Sequence, residues 1–457
     1  MLVIALGLKI LYTNLVNLKS INKGGMRDLS RIIFVLALVL TFFTCVSPSF
    51  AAGKTRYQED AEREAAEKAA NKEAAEKAKQ AIESSVNRVV VSGDPSKTVF
   101  DLLSNPLPEI EFLPEEEFLA ATQEVHETPF DDKFLEYEVR LPKDWVKKTT
   151  ADISNLGVNQ DVLGEIAAYV SPPRLEDARS EFKVQSLSLS YDIAASHWFL
   201  QHVLSNAYNL EGIKEHNERR VEAVYVVVRD DTTFVVRAVA IKNGKRIILA
   251  EFFVPQGQWQ DERVLAAQGM SSFDLMNTDK SYVQKIKNYK FLDIAEFSYP
   301  DRWELRTPTI KTTERMQARL LNANRDLKIL NGQIEIYVVS AGVVESLEDE
   351  LLNFKKILTQ KGLQLGKLID VSQDFGFDES MKFGVVESYV ATNDDKNLLE
   401  YELWLAVMAS ESYYYFIPMV TPMRTEDFMN WSRNVGDFRI VVANTKPIVD
   451  KPGMESE

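Results

Sequence analysis

The stretch Glu138-Val139-Arg140-Leu141-Pro142-Lys143-Asp144-Trp145 returns later in the chain as Glu296-Phe297-Ser298-Tyr299-Pro300-Asp301-Arg302-Trp303. Both versions alternate apolar with polar residues, stop at a proline, cross two polar residues and land on a tryptophan. Proline has no amide to give to a strand ladder, so each version reads as a strand that ends in a turn with an aromatic anchor beyond it. A similar order of elements follows each one, and two tandem copies of one domain is the simplest fold that explains it. The chain has 457 residues, long enough to bury more than one core.

In the first copy, taken as residues 133–276, Val162 to Val170 precedes the alternating run Phe182 to Tyr191, which reads as a strand with one buried face. Ile193, Leu200, Val203, Leu204, Ala207 and Leu210 then recur at helical spacing, with Gly212 expected as the cap. Val221 to Val228 and Phe234 to Ile241 form a hairpin across Asp230-Asp231, and Asn243-Gly244 turns the chain into Ile247 to Val254. Pro255 ends that strand, and an amphipathic stretch around Val264 and Leu265 leads to Ser272-Phe273. The second copy, residues 290–443, has strands at Ala318 to Leu321 and Ile334 to Val339, then a helix opened by Ser346 with Asp349 as its capping-box partner. Leu347, Leu351, Phe354 and Leu358 form the stripe of that helix and Gly362 closes it. A meander over Val385 to Ala391, Leu398 to Met408 and Tyr413 to Val420 follows, turning at Asn393-Asp394-Asp395-Lys396, and a last helix carries Phe428 and Trp431 before Asp437-Phe438.

The apolar-x-apolar-Pro-x-x-Trp opening at Val139 to Trp145 and Phe297 to Trp303, the central helix, the meander and the closing helix ending in Ser272-Phe273 or Asp437-Phe438 resemble the PsbP-like fold, shared with the bacterial envelope protein DcrB. The resemblance covers residues 133–276 and 290–443 and implies an α/β sandwich of the α+β kind, with an antiparallel sheet and helices packed on it. It also implies a non-catalytic accessory or binding subunit. No partner-contacting residue of the family has a recognisable match here, so none is carried over.

From Met26 the sequence reads as an export signal, with Arg27 and Arg31 before the apolar run Ile32 to Val46 and small residues at Ser49 and Ala51. Cleavage is expected after Ala51, which makes 1–51 an upstream extension plus signal peptide; a start at Met26 explains why 1–25 does not resemble the rest of it. Two alternatives are an uncleaved anchor, which would hold the chain near the membrane, and lipidation at Cys45, the single cysteine. A cleaved chain has no thiol, hence no disulfide and no thiolate metal site. Residues 52–88 are a charged Ala/Glu/Lys helix, read as a solvated spacer or a weak pairing segment, since its alanine seam lacks the large apolar residues of a coiled coil. Residues 89–132 have the proline-rich, acidic composition of a linker, 277–289 join the copies, and 444–457 form a tail.

A net charge of −15 without a basic cluster argues against a nucleic-acid partner. Of the histidines, His197, His202 and His216 lie in the first copy, His126 in the linker before it and none in the second copy, so the copies share no catalytic histidine. His197 and His202 are five residues apart, about 140° around a helix, so they do not meet a metal from adjacent turns and read as surface or edge-of-core residues. Asp230-Asp231 and Asp394-Asp395 read as turn chemistry because the alternating acidic ligands of a calcium loop are missing. Trp145 and Trp303 read as plugs of each core, with a ligand groove as the alternative, and Tyr413-Tyr414-Tyr415-Phe416 as an inter-domain or partner surface unless a helix covers it. No nucleophile elbow, zinc-binding His-Glu-x-x-His, P-loop or dinucleotide loop occurs.

The sequence therefore leads to no catalytic, cofactor or metal residue and to an exported, non-enzymatic interaction or assembly subunit of a bacterial-type cell-envelope complex, such as a secretion or transport machine. Its expected location is the periplasm and its partners are envelope proteins, with the oligomeric state left open. A periplasmic small-molecule or lipid carrier with a pocket between sheet and helix is the alternative, and a hydrolase with two facing carboxylates is a third reading.

Overall fold

The computed structural model describes residues 99–148, 162–173, 178–308, 312–324, 329–393 and 401–448. Helices α1 (Val99–Leu103) and α2 (Glu115–Ala121) lead into strand β1 (Thr122–Glu127). The chain continues through β2 (Tyr137–Pro142), β3 (Val146–Lys147), β4 (Gly164–Val170) and β5 (Glu181–Ser188) to helix α3 (Ala195–Ser205). Then come β6 (Asn209–Asn217), β7 (Arg220–Arg229), β8 (Thr232–Asn243), β9 (Arg246–Pro255), helix α4 (Trp259–Ser271) and β10 (Asp274–Leu275). The second copy begins with β11 (Ile286–Phe291), β12 (Ala295–Pro300), β13 (Glu304–Arg306), β14 (Arg315–Asn324), β15 (Ile329–Ser340) and helix α5 (Leu347–Gln360). It ends with β16 (Leu363–Ser372), β17 (Phe383–Asn393), β18 (Tyr401–Ala409), β19 (Tyr413–Pro422), helix α6 (Phe428–Ala443) and β20 (Lys446–Pro447).

Each copy contains a small antiparallel sheet, β1-β2-β10 or β11-β12-β20, and a seven-stranded one. The large sheets run β3-β4-β5-β9-β8-β7-β6 and β13-β14-β15-β19-β18-β17-β16, so replacing each strand by its counterpart converts one order into the other. The chain is thus a two-domain α+β protein built twice on one topology. The repeated opening behaves alike in both: Tyr137, Val139 and Leu141 point inward from β2, as Ala295, Phe297 and Tyr299 do from β12. Past the proline, the Trp145 amide donates to the Pro142 carbonyl at 3.1 Å and the Trp303 amide to the Pro300 carbonyl at 3.1 Å, the same tight turn. Asp230 and Asp231 both take left-handed φ in the β7–β8 hairpin, the conformation its two-residue turn requires.

Both faces of each large sheet are covered. In the first copy α4 and the small sheet close one face, where Trp145 packs on Phe252 with 4.8 Å between rings, and α3 covers the other. In the second copy α6 and the small sheet close one face and α5 the other. The α3 face of the first copy and the α6 face of the second share one continuous hydrophobic cluster. The central helix of one copy therefore stacks on the closing helix of the next, a head-to-tail contact and not a two-fold one. Gly436 on α6 fits here because its bare Cα lies against the Asp192 carbonyl, where a Cβ would come within 2.4 Å of the oxygen. The described residues all fall in one compact unit.

Several boundaries differ from the sequence reading. The stretch expected as the 89–132 linker includes α2 and β1, and β1 pairs with β2 along its whole length. The 277–289 linker gives its last residues to β11, and the 444–457 tail supplies β20. Gly212 does not cap α3; the helix stops at Asn206 with Ala207 in left-handed φ, and Gly212 sits inside β6. Ser272-Phe273 and Asp437-Phe438 are not equivalent, because the first follows α4 whereas the second lies inside the longer α6. Tyr413 to Phe416 is no partner surface: β19 lies inside the sheet, Tyr415 faces the α6 side and Phe416 stacks at 5.2 Å on Phe354 of α5. The signal, Cys45, the charged helix and Asp394-Asp395 lie outside the described residues.

Because nothing at the α3–α6 crossing can yield except backbone, Gly436→Ala is expected to destabilise the chain by roughly 1–3 kcal/mol. Chemical denaturation of wild type and variant measures the difference, and an unchanged midpoint contradicts this packing.

Candidate functional site

The charged groups at the junction show what this part of the chain is built to do. Asp192, just before α3, takes Lys242 Nζ at 3.1 Å and the backbone amides of Val283 and Gln284 at 3.1 and 3.4 Å. Gln284 in turn donates to Asp437 Oδ1 at 2.8 Å, while Arg302 Nε and Trp303 Nε1 donate to Asp437 Oδ2 at 2.5 and 2.6 Å. The second repeated tryptophan is thus both a core plug and a hydrogen-bond donor. Burial pushes the Asp437 carboxyl up from its ordinary range, and Arg302, Trp303 and Gln284 oppose that. Glu402, fully buried on β18, is gripped by Arg424 through Nε at 2.7 Å and Nη2 at 2.8 Å and takes Trp431 Nε1 at 2.7 Å. Carboxylates so surrounded hold the helix and strand that carry them in fixed positions.

The four histidines do not converge. His126 bonds Glu136 at 2.7 Å, His216 bonds Glu222 at 3.3 Å, and His202 stacks on Trp198 at 5.3 Å. His197 lies at the junction with its ring 4.5 Å from that of Trp431, and its Nδ1 has no partner among the described residues. Burial, aided by the cations of Arg439 and Arg424, lowers its pKa to about 3, and burial lowers that of His202 to about 4. No group of three or more His, Cys, Asp or Glu within metal-binding reach occurs among the described residues.

A cleft of about 540 Å³ opens beside the β6–β7 turn, lined by His216, Arg219, Arg220, Glu222 and Asp274 among others. Its cations are engaged by the protein itself. Arg219 donates to the Lys242 carbonyl, Asn243 Oδ1 and the Asp279 carbonyl, and Arg220 to the Phe273 carbonyl and Asp274. Glu222 is held by Arg237, with Nη2 at 2.6 Å.

The surfaces are less symmetric than the folds. Counting back from the left-handed residues Ala207 and Gly362, Phe199 and Phe354 are equivalent core residues, and Leu352 and Ile357 of α5 stand where α3 has His197 and His202. Leu352 is 58% exposed and Ile357 39%. The terminal strands differ as well. Along β6 the segment 99–107 lies as a strap: the Ile213 amide donates to the Asn105 carbonyl at 2.8 Å, Asn105 Nδ2 donates to the Glu211 carbonyl at 2.5 Å, and Leu102 is buried in the shared core. Gly212 permits this, since a Cβ there would meet the Pro106 carbonyl at 2.5 Å. On β16, the counterpart of β6, no strand pairs with the outer side among the described residues, and Leu368 and Val371 are 44% and 49% exposed. This open edge was missed in the sequence.

No family model and no curated protein matches this chain. Among solved structures it is similar to the cyanobacterial PsbP of Synechocystis, at 15% identity over 34% of this chain and 94% of that one, with a TM-score of 0.25. It is also similar to the Saccharomyces cerevisiae Ran-binding protein Mog1p, at 13% identity over 34% of this chain and 96% of that one, with a TM-score of 0.23. The immunity protein TplEi from Pseudomonas aeruginosa is similar over 68% of this chain and 94% of its own, at 9% identity and a TM-score of 0.18. The resemblance to the PsbP-like fold is one of fold, over about a third of the chain.

Asp437→Ala leaves Arg302 and the Trp303 indole without their acceptor, and a loss of roughly 3–5 kcal/mol is expected in equilibrium unfolding. The histidines predict a pH dependence. Their folded pKa values lie below the ordinary 6.5, so between pH 6.5 and about 4 the unfolded chain binds protons that the folded chain refuses, and stability falls as pH drops. Melting temperatures at pH 7.5 and 5.5 should differ less in a His197→Leu, His202→Ile variant, which carries the residues of the second copy.

Proposed function

We propose that this chain is an exported, non-enzymatic assembly subunit of a bacterial-type cell-envelope complex. The observation that carries the reading is the head-to-tail stack with a shared core: it makes one body whose two ends differ, one strapped and one without a strap among the described residues. A single body with unlike ends holds partners at a fixed separation. The buried carboxylates Asp437 and Glu402 support a structural use of charge, since their arginines and tryptophans hold them away from any substrate. The apolar run before Ala51 supports export. Solubilised envelope fractions should yield this chain in a stable stoichiometric complex, with a mature N-terminus at Ala52; a chain that always migrates as a lone monomer contradicts the assembly reading.

The cleft beside the β6–β7 turn favours a second reading, a small-molecule carrier. Native mass spectrometry of the purified chain distinguishes it, because a carrier shows a co-purified adduct that His216→Ala or Arg220→Ala removes.

A further inference from the structure

We propose that the cleft beside the β6–β7 turn binds a small organic anion, a carboxylate or phosphate group carried on an apolar body. This names the ligand class of the carrier reading and rests on that reading only for the claim that the cleft is filled in the cell.

The second copy supplies the comparison. With the prolines that end β9 and β19 aligned, strand pairing sets Gly384 at the place of Arg220, Val386 at that of Glu222, Trp404 at that of Arg237 and Met408 at that of Ile241. There the place is apolar and filled. The β16–β17 connection, residues 373–382, folds back so that the Phe377 ring lies against the bare Cα of Gly384, where a Cβ would come within 2.6 Å of it. From the same connection Phe375 packs 6.3 Å from Trp404 and 5.8 Å from Phe438 of α6, ring to ring. In the first copy only Glu218 and Arg219 join β6 to β7, a connection too short to fold back, and the cleft of about 540 Å³ remains.

The charges of the first copy are therefore not a demand of the scaffold. A buried ion pair stabilises a fold no better than apolar side chains of similar size, and the sister copy buries Val386 and Trp404 at the two positions. The pair is also unbalanced. Glu222 Oε1 takes Arg237 Nε at 2.8 Å and Nη2 at 2.6 Å, while Arg237 Nη1 is buried without an acceptor among the described residues.

Arg219 and Arg220 are fixed mainly by groups that carry no charge. The bonds of Arg219 end on the Lys242 and Asp279 carbonyls and on Asn243 Oδ1, and the shorter bond of Arg220 ends on the Phe273 carbonyl at 2.8 Å. The carboxylate contact of Arg220 is with Asp274 at 3.3 Å, a side chain 68% exposed at the rim. Asp279 turns its carboxylate to Ser281. Three guanidinium groups thus line or back the cleft against the carboxylates of Glu222 and Asp274, in a chain of net charge −15. A guanidinium held by carbonyl oxygens keeps its charge and its spare N–H groups in a fixed fork, which is the geometry that carboxylates and phosphates accept. Ile241, Phe273 and Leu275 line the same cleft and give an apolar body its surface.

Isothermal titration of the full chain with octanoate, octyl phosphate, octanol and inorganic phosphate tests the proposal. At least one of the two octyl anions is expected to bind at one site with a dissociation constant of about 1 mM or below, and the tighter of them identifies the headgroup. Octanol and inorganic phosphate should bind about tenfold more weakly or worse. Arg220→Gln should weaken the tighter probe about tenfold and Arg220→Lys by less. Asp274→Asn removes the competing carboxylate and should tighten it about threefold, a gain that misfolding does not imitate. Octanol binding as well as the anions, an Arg220→Gln variant equal to wild type, no gain in Asp274→Asn, or no binding of either octyl anion at 1 mM overturns the proposal. Native mass spectrometry separates this from the carrier reading. A co-purified adduct on a chain that binds neither octyl anion leaves the carrier and removes the anion site; probe binding as described on a chain that never carries an adduct leaves the anion site and removes the carrier.

Discussion

The fold depends on one crossing of two helices. α3 and α6 come together where Gly436 meets the backbone of Asp192, and that approach lets two sheets share one apolar interior. Asp192 joins the same place electrostatically, since its carboxylate binds Lys242 of the first copy and the amides that lead into the second. A glycine supplies the space and a carboxylate the orientation. A change at either would disturb the angle between the copies, while the shared apolar cluster would still hold them together.

The duplication left the scaffold intact and changed its polar interior. The Pro-x-x-Trp turn is the same in both copies, yet Trp145 ends against Phe252 whereas Trp303 reaches a buried carboxylate. That carboxylate sits on α6, the helix that must bear contact on both of its sides. Asp437 and Glu402 each pair with an arginine and a tryptophan, so α6 is held to the turn after β12 and to β18 by charge-assisted bonds that tolerate no sliding. The closing helix of the first copy, α4, packs on β8 and β9 of the large sheet and β2 of the small one, with no helix of the other copy on its outer side among the described residues.

What the sequence disclosed follows from where local rules were strong. The proline-terminated strands, the Asp230-Asp231 hairpin and the Ser346 cap, whose hydroxyl accepts the Asp349 amide at 3.1 Å, all rest on short-range chemistry and form as read. β1 and the first residues of β11 read as linker because Thr122–Glu127 and the start of Ile286–Phe291 are mostly polar, and the partner strand β2 or β12 supplies the alternation that they lack. Gly212 was read as a helix stop because glycine near the end of an apolar stripe usually is one. Its smallness serves a backbone arriving from more than a hundred residues upstream, which no local window contains. His197 failed to show its place for the same reason, since its neighbour Trp431 belongs to the other copy.

A stacking rule that places one module's central helix on the next module's closing helix has no built-in end, and repeated without limit it gives a fibre. Aligning β10 with β20 sets Val264 of α4 opposite Gly436 of α6, so the closing helix of the first copy has a branched side chain at the point where the crossing tolerates none. Residues 109–114 also lie over that helix, with the Leu113 amide and carbonyl both bonded to Gln268 at 3.1 Å. On α4, then, a valine and a crossing segment occupy the place where a further contact of the same kind would form.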